Sequence, residues 1–193
     1  MKVLAAIRIF LLMNLLFSSM AIPVHDNWRF TASAITRYDP AFRDKAGHYT
    51  KADWTGFFQV GSMVNGEVLS FDEYVVAEEK YIKAAAAFLQ FHSCTKFYIK
   101  NLELYGFGDY DHPDLPVLTA GYHAILENAV VDQEMLPVLV QLILREIIYC
   151  EIFCDEPGNT AIRFGYDMYM YFNAERDMTE LFAEVREIGL YVS

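Results

Sequence analysis

Apolar and polar residues alternate most regularly in the C-terminal third of the chain. Alternate positions there hold the aromatic and methionine side chains Phe164, Tyr166, Met168, Met170 and Phe172. A period of two residues with many aromatic side chains is typical of a β-strand. An apolar arm over Ile147–Cys154, a Pro-Gly-Asn turn over Asp155–Thr160 and a second arm over Ala161–Phe172 therefore predict a β-hairpin.

The other face of the predicted second arm is unusual. After Gly165 it carries an acid beside two tyrosines, Asp167, Tyr169 and Tyr171, where Lys or Thr would be ordinary on a solvated face. Two interpretations remain open. These side chains pack beneath a helix that crosses the sheet, or they form a binding patch in which tyrosines flank an acid.

The strongest helix start lies at Ser70-Phe71-Asp72-Glu73, which forms a capping box. We predict a helix from Phe71 to Phe91 with one apolar face. Glu78 lies near the centre of that face, and a buried carboxylate without a partner is costly. We interpret Glu78 as a buried polar anchor held by a tyrosine hydroxyl or an arginine, with a general acid as the alternative.

Other periodic segments predict strands over Asn27–Arg37 and Lys96–Tyr105 and helices over Val117–Val131, Gln133–Tyr149 and Glu175–Ile188. The helix before the hairpin is apolar on most sides, so we expect it to be the most buried element and the hairpin to lie centrally in the sheet. The fold class predicted is α+β, a mostly antiparallel sheet with a C-terminal β-hairpin and about four helices packed on it.

Shorter elements are also predicted. Trp54–Val60 is a short strand or a loop, Asn65-Gly66 is a tight turn, and Gly106–Pro116 is a loop. Gly189 is a good C-terminal cap, and Leu190–Val192 adds an edge strand.

The first 21 residues are predicted to be a secretory leader, with Lys2 and Arg8 before an apolar run and a small-x-small site ending at Ala21. Residues 22–193 then form a single α+β domain in the periplasm or outside the cell. A translation start at Met20 is the alternative, and it would make the protein cytoplasmic.

The chain is acidic and rich in aromatic residues. Its 13 tyrosines and 15 phenylalanines disfavour disorder. The net charge is −11, and the first 21 residues hold two basic residues and no acid, so residues 22–193 stand at −13. This charge disfavours nucleic acids and anionic membranes as partners and suits a basic protein. No stable membrane span is expected after removal of the leader.

No local motif for catalysis, a metal or a cofactor is present in the sequence. The five histidines are scattered, so an enzyme is not predicted. The loop residues Asp109, Asp111, His112 and Asp114 raise the question of a metal site. A calcium loop that starts at Asp109 would need Glu at its twelfth position, where Ala120 stands.

Five segments of the chain are distinctive when they are taken together in this order: ITRYDPAFRD at Ile35–Asp44, WTGFFQVG at Trp54–Gly61, NGEVLSFDEYVVAEEKYI at Asn65–Ile82, LREIIYCEI at Leu144–Ile152 and FGYDMYMYF at Phe164–Phe172. They resemble bacterial immunity proteins of contact-dependent growth inhibition and related polymorphic toxin systems. The resemblance implies a protein without enzymatic activity that binds and neutralises one cognate toxin domain, often a nuclease. The leader departs from this pattern, because immunity to a cytoplasmic nuclease needs no export.

Nuclease toxins are commonly basic, so acidic and tyrosine-rich positions are the candidate contacts. The toxin-binding candidates are Asp109, Asp111, Asp114, Asp155, Glu156, Asp167, Tyr169 and Tyr171. Two alternatives stay open. One is an exported enzyme of unknown chemistry, which a compact pocket that joins His48 or His123 to a carboxylate would favour, and the other is an exported structural or adaptor domain.

Overall fold

The structure, a computed structural model, describes residues 32–154 and 159–193. The predicted leader, the part of the first predicted strand before residue 32, and the candidates Asp155 and Glu156 lie outside these residues. The described α-helices are α1 (Phe71–Phe91), α2 (Leu115–Ala124), α3 (Leu136–Leu144) and α4 (Thr179–Ile188). The strands are β1 (Ser33–Thr36), β2 (Met63–Val64), β3 (Glu67–Val68), β4 (Lys96–Leu104), β5 (Val130–Asp132), β6 (Ile148–Phe153), β7 (Ala161–Phe164), β8 (Met170–Asn173) and β9 (Tyr191–Val192).

Seven of these strands form one sheet in the order β5-β4-β6-β7-β8-β1-β9. Every registered pair in it is antiparallel. The α+β prediction is therefore confirmed, and β6 and β7 occupy the central region expected for the hairpin. None of the helices in residues 32–154 and 159–193 is long and apolar enough to cross a membrane.

Helix α1 begins and ends where the sequence predicts. The Ser70 hydroxyl accepts a hydrogen bond from the Glu73 amide at 3.1 Å, which satisfies one of the free N–H groups of the first turn. The helix lies between α3 and α4 and contacts both. Its buried side includes Tyr74, Glu78 and Tyr81, which follow one another at helical spacing on one face.

The core is a single cluster of buried apolar side chains from the helices and the sheet. Alternate residues of β6, namely Ile148, Cys150 and Ile152, join it. Helix α3 contributes six buried side chains and is apolar on most sides, as predicted. The Asn65-Gly66 turn is also confirmed, because both residues have positive φ (55° and 87°) between β2 and β3.

The predicted single strand over Ala161–Phe172 is wrong. The chain reverses after Phe164, because Asp167 and Met168 adopt φ values of 56° and 58° and the Tyr169 amide donates to the Tyr166 carbonyl at 3.1 Å. These values describe a type I′ turn, the geometry that joins two antiparallel strands. Phe164 therefore pairs with Met170 across the β7–β8 ladder.

This reversal changes the faces that alternation predicted. Tyr166 leaves the apolar set and is 93% exposed, whereas Met168 stays buried. Gly165 lies directly against Tyr171, since a Cβ atom at Gly165 would be 2.8 Å from the Tyr171 ring. A dipeptide of Asp and Met carries little turn signal, because methionine rarely adopts positive φ.

Two predicted helices are too long. The helix predicted over Val117–Val131 ends at Ala124, and Val130–Asp132 is a strand paired with β4. The helix predicted over Gln133–Tyr149 ends at Leu144 and leads into β6. Apolar residues resume within a few positions of each helix end, at Ala129–Val131 and Ile147–Tyr149, so the hydrophobic pattern taken over the whole segment runs past the point where the helix stops.

Candidate functional site

A cleft of about 650 Å³ opens where β6 and β7 separate. The two strands have registered pairs only at Ile152–Ile162 and Phe153–Ala161. Beyond these pairs, Ile148 of β6 and Phe164 of β7 belong to the lining of the cleft. The volume falls in the range of about 300–1,000 Å³ that is usual for ligand pockets.

Four segments far apart in the chain line the cleft. They are the loop at Thr55-Gly56, the end of β4 with Glu103 and Tyr105, the α3–β6 junction over residues 143–149, and the β7–β8 turn over residues 164–168. Its floor consists of buried apolar side chains that include Ile148, Phe164 and Met168.

The rim of the cleft is acidic and aromatic. The carboxylates are Glu103, Glu146 and Asp167, and the tyrosines are Tyr105, Tyr149 and Tyr166. No lysine, arginine or histidine is found among the described residues that line it. All three acids are exposed, and so are Tyr105 and Tyr166. A rim of this composition attracts cationic groups and repels anionic ones.

Two buried tyrosines of α1 hold two walls of the cleft in place. The Tyr74 hydroxyl donates to the Leu144 carbonyl at 2.9 Å, and the Tyr81 hydroxyl donates to the Met168 carbonyl. The Tyr81 hydroxyl also accepts from the Arg37 amide at 2.9 Å. Burial raises the pKa of both phenols, so they stay protonated as donors. Because they lie seven residues apart, about two helical turns, α1 sets the spacing of the α3 end and the β7–β8 turn.

Glu146 occupies a strained backbone position on the rim. At the end of α3, the Ile147 amide donates to the Leu142 carbonyl at 2.9 Å and the Glu146 amide donates to the Ile143 carbonyl at 3.0 Å. This is a Schellman ending, in which the residue with positive φ is usually glycine. Glu146 has φ 58°, whereas α4 ends in the same way with Gly189 at φ 91°.

The loop at Thr55-Gly56 lies close to Glu146 at its glycine. A Cβ atom at this position would lie 3.1 Å from the Glu146 Oε1 atom and 2.9 Å from the Phe58 ring. Any larger residue would therefore push the carboxylate or the exposed Phe58 ring aside. The glycine therefore lets the loop lie against Glu146 with both side chains undisplaced.

The Tyr105 and Tyr149 phenols of the rim are hydrogen-bond donors at neutral pH. The Tyr105 hydroxyl donates to the Glu103 Oε2 atom at 2.7 Å, and this bond, with some burial, raises the pKa of Tyr105 to about 12. Burial, followed by the charge of Glu151, raises the pKa of Tyr149 to about 12. Both phenols therefore stay protonated near pH 7 and can donate hydrogen bonds to a bound group.

Glu78 is fully buried, and its carboxylate is paired. Arg145 donates from Nε to Oε1 at 2.7 Å and from Nη2 to Oε2 at 2.6 Å, and Gln141 donates to Oε2 at 3.2 Å. This bidentate geometry is the strongest form of ion pair in proteins. Arg145 immediately precedes Glu146, so the same pair holds the α3 end beside the cleft.

Asp114 belongs to this buried network instead of a free acidic surface. Arg145 Nη1 donates to its Oδ2 atom, and the Tyr110 hydroxyl donates to Oδ1 at 2.6 Å. Burial pushes the pKa of Asp114 up, but the hydrogen bonds from Tyr110 and Arg145 outweigh it, and the pKa lies below the ordinary value of 3.8. Asp109 and Asp111 are exposed in the same loop and do not line the cleft.

Of the other candidates within the described residues, only Asp167 lines the cleft. The hydroxyl of Tyr169 accepts a hydrogen bond from Arg43, and the ring of Tyr169 stacks on that of Tyr171 with centroids 6.3 Å apart. Both tyrosines are half-buried. They support the β7–β8 hairpin next to the cleft, and the acid and the tyrosines do not share one strand face.

His48, His92, His112 and His123, the histidines in the described part of the chain, do not line the cleft. His48 lies 3.3 Å from Asp44, but its side chain is 80% exposed, and His123 is exposed near the end of α2. Over the described ranges, no group of three or more His, Cys, Asp or Glu side chains is arranged to hold a metal ion.

Sequence reasoning missed most of the cleft. The sequence pattern made Asp167 a candidate contact residue but did not make candidates of Glu103, Glu146, Tyr105 or Tyr166. One signal was available at Glu146, a polar residue that follows Arg145 at the end of an otherwise apolar helix.

Protein-family models, curated proteins and solved structures contain no match to this chain. The resemblance to immunity proteins therefore stays a prediction.

Proposed function

We propose that the protein binds a basic toxin domain through the cleft and neutralises it, as the resemblance to immunity proteins implies. The observation that supports this function is the composition of the cleft, with three carboxylates and three tyrosines and no cation among its described lining residues. A partner that presents lysine or arginine side chains complements this surface.

The net charge of the chain supports the same partner. At −11 the molecule attracts a basic protein from a distance, which raises the rate of encounter. Toxins that cleave nucleic acids carry positive charge because they must approach phosphates. An acidic protein that covers such a surface would block access of the substrate.

Exposed aromatic side chains supply contact area. Tyr166 is 93% exposed at the tip of the β7–β8 turn, and Tyr105 and Phe58 are 60% and 67% exposed nearby. Tyrosine at the centre of an interface often contributes much of the binding energy, because it combines a large apolar ring with a polar tip.

The test is protection from a toxin. A basic toxin domain encoded beside this chain is expressed in bacteria with the full chain, with the variant Tyr166→Ala/Glu146→Gln, or with the control Tyr191→Ala/Glu134→Gln. The control removes one exposed tyrosine and one exposed acid outside the cleft. We expect the chain and the control to restore growth and to co-purify with the toxin, and the cleft variant to do neither.

Failure of the unaltered chain to bind the toxin or to restore growth would contradict the proposed function. Equal protection by the cleft variant would contradict the role of the cleft. Circular dichroism and the unfolding midpoint of each variant show whether a loss of protection reflects a loss of folding.

A further inference from the structure

We infer that the cleft receives an arginine side chain of the bound partner. The inference rests on the proposed function and names the chemistry of its contact. Three features carry it: the buried apolar floor, the exposed carboxylates of the rim and the tyrosine rings that stand beside them.

The floor suits the methylene stem of an arginine. Ile148, Phe164 and Met168 are at most 6% exposed, and they line the cleft below the acidic rim. Long cationic side chains lay their apolar stems on such surfaces and keep the charged end at a polar edge. A cleft of about 650 Å³ has room for one such side chain and for the backbone on either side of it.

The rim suits a guanidinium group better than an ammonium group. A guanidinium is planar, donates two parallel hydrogen bonds to a carboxylate and stacks its face on an aromatic ring. The rim offers carboxylates from Glu103 and Glu146 and rings from Tyr105 and Tyr166. Lysine carries a strongly hydrated point charge, and it would use the carboxylates but gain less from the rings.

No lysine, arginine or histidine among the described lining residues competes with an incoming cation. Glu103 accepts a hydrogen bond from the Tyr105 hydroxyl, which is neutral and does not cancel the charge of the carboxylate. Arg163, a nearby cation that acts on the pKa of Tyr149, lies 3.2 Å from the Glu151 carboxylate. Arg145 contacts Glu78 and Asp114 and faces the interior. Arg145 therefore has its ion-pair partners inside the protein, whereas no ion pair of Glu146 is found among the described residues.

The experiment titrates the full chain with short peptides and follows the tyrosine ring signals by NMR. The probes are acetyl-Val-Arg-Val-amide, the same peptide with lysine, and the same peptide with citrulline, which keeps the shape of arginine without its charge. We expect saturable shifts of the Tyr105 and Tyr166 signals with the arginine peptide and about tenfold weaker binding of the citrulline peptide.

Matched variants locate the contact. Glu146→Gln is expected to weaken the arginine peptide about tenfold, and Glu134→Gln, the same change outside the cleft, is expected to leave binding unchanged. Equal binding of the arginine and citrulline peptides would overturn the inference. So would tighter binding of the lysine peptide, or shifts that do not saturate and do not respond to Glu146→Gln.

This outcome is separable from that of the proposed function. If the chain protects cells but citrulline binds as well as arginine, the arginine inference fails and the toxin-binding function stands. If the arginine peptide binds as expected but the chain neither binds nor neutralises the toxin, the site stands and the proposed function fails.

Discussion

Two adjacent charged residues at the end of α3 differ in their surroundings, because Arg145 is buried and paired and Glu146 is exposed. Arg145 faces the interior, where it contacts Glu78, Asp114 and the Tyr110 hydroxyl. Glu146 faces the cleft, where no cation lies among the described lining residues. In the inner network Arg145 is paired with two carboxylates, because a buried charge without a partner would cost several kcal/mol of stability. The outer group has no such requirement, since exposure makes an unpaired carboxylate inexpensive in free energy.

The backbone shows the same difference. α4 ends with glycine at the position that needs positive φ, whereas α3 ends with Glu146 at that position. A residue with a side chain costs about 1–2 kcal/mol more than glycine in this conformation. Strain of this kind often occurs at functional sites, because it is retained where a side chain is needed. The comparison therefore predicts that the Arg145 network stabilises the fold and that Glu146 weakens it in favour of binding.

The largest effect is expected from Arg145→Met. The change leaves the fully buried Glu78 carboxylate without its bidentate partner, so the free energy of unfolding should fall by about 3–5 kcal/mol. Urea denaturation measures the loss. The double variant Glu78→Gln/Arg145→Met removes both charges and should lose less than the single variant. A single variant as stable as the unaltered chain would show that the network does not stabilise the fold.

A gain in stability is expected from Glu146→Gly. Glycine adopts the Schellman geometry without strain, so the free energy of unfolding should rise by about 1 kcal/mol while binding of a basic partner weakens. Thermal unfolding and titration with the arginine peptide measure the two changes. Gly189→Ala, the reverse change at the end of α4, should destabilise the protein. A variant that is less stable and binds normally would contradict the comparison.

The smallest effect concerns pH. Because the pKa of Asp114 lies below 3.8 in the folded protein, the carboxylate contributes stability above that value, which is lost as pH falls through the folded pKa. Asp114→Asn should therefore lower the stability at pH 7 and flatten its decline below about pH 4. Unfolding midpoints at several pH values measure this. Asp111→Asn, an exposed acid of the same loop, is the control, and identical profiles for the two variants would contradict the prediction.

Local signals predicted those elements that short segments determine. The capping box at Ser70 places the start of α1, and Asn65-Gly66 produces the turn between β2 and β3, because these residues satisfy free amides or adopt positive φ without help from elsewhere. Gly189 ends α4 for the same reason. The acid in the middle of the apolar face of α1 indicated that Glu78 is a buried anchor, but no local signal showed that Arg145 is its partner.

The β7–β8 turn and the end of α3 are not determined locally. Asp167-Met168 and Glu146 have positive φ although neither site has glycine, and both are held by contacts from α1 through Tyr81 and Tyr74. A pattern of alternating residues cannot show such a reversal, because the apolar side chains continue on both sides of it. The single strand over Ala161–Phe172 was predicted for this reason.

The sequence by itself determined the acidity of the protein, its α+β class and the elements with strong caps or turns. Only the tertiary structure decided which acids are paired inside the protein and which are exposed at the cleft. It pairs Asp114 and Glu78 with Arg145, and it brings Glu103, Glu146 and Asp167 from three segments to one cleft. The physical reason is that a charge must find its partner through space, and the distance between two side chains in the fold is independent of their separation along the chain.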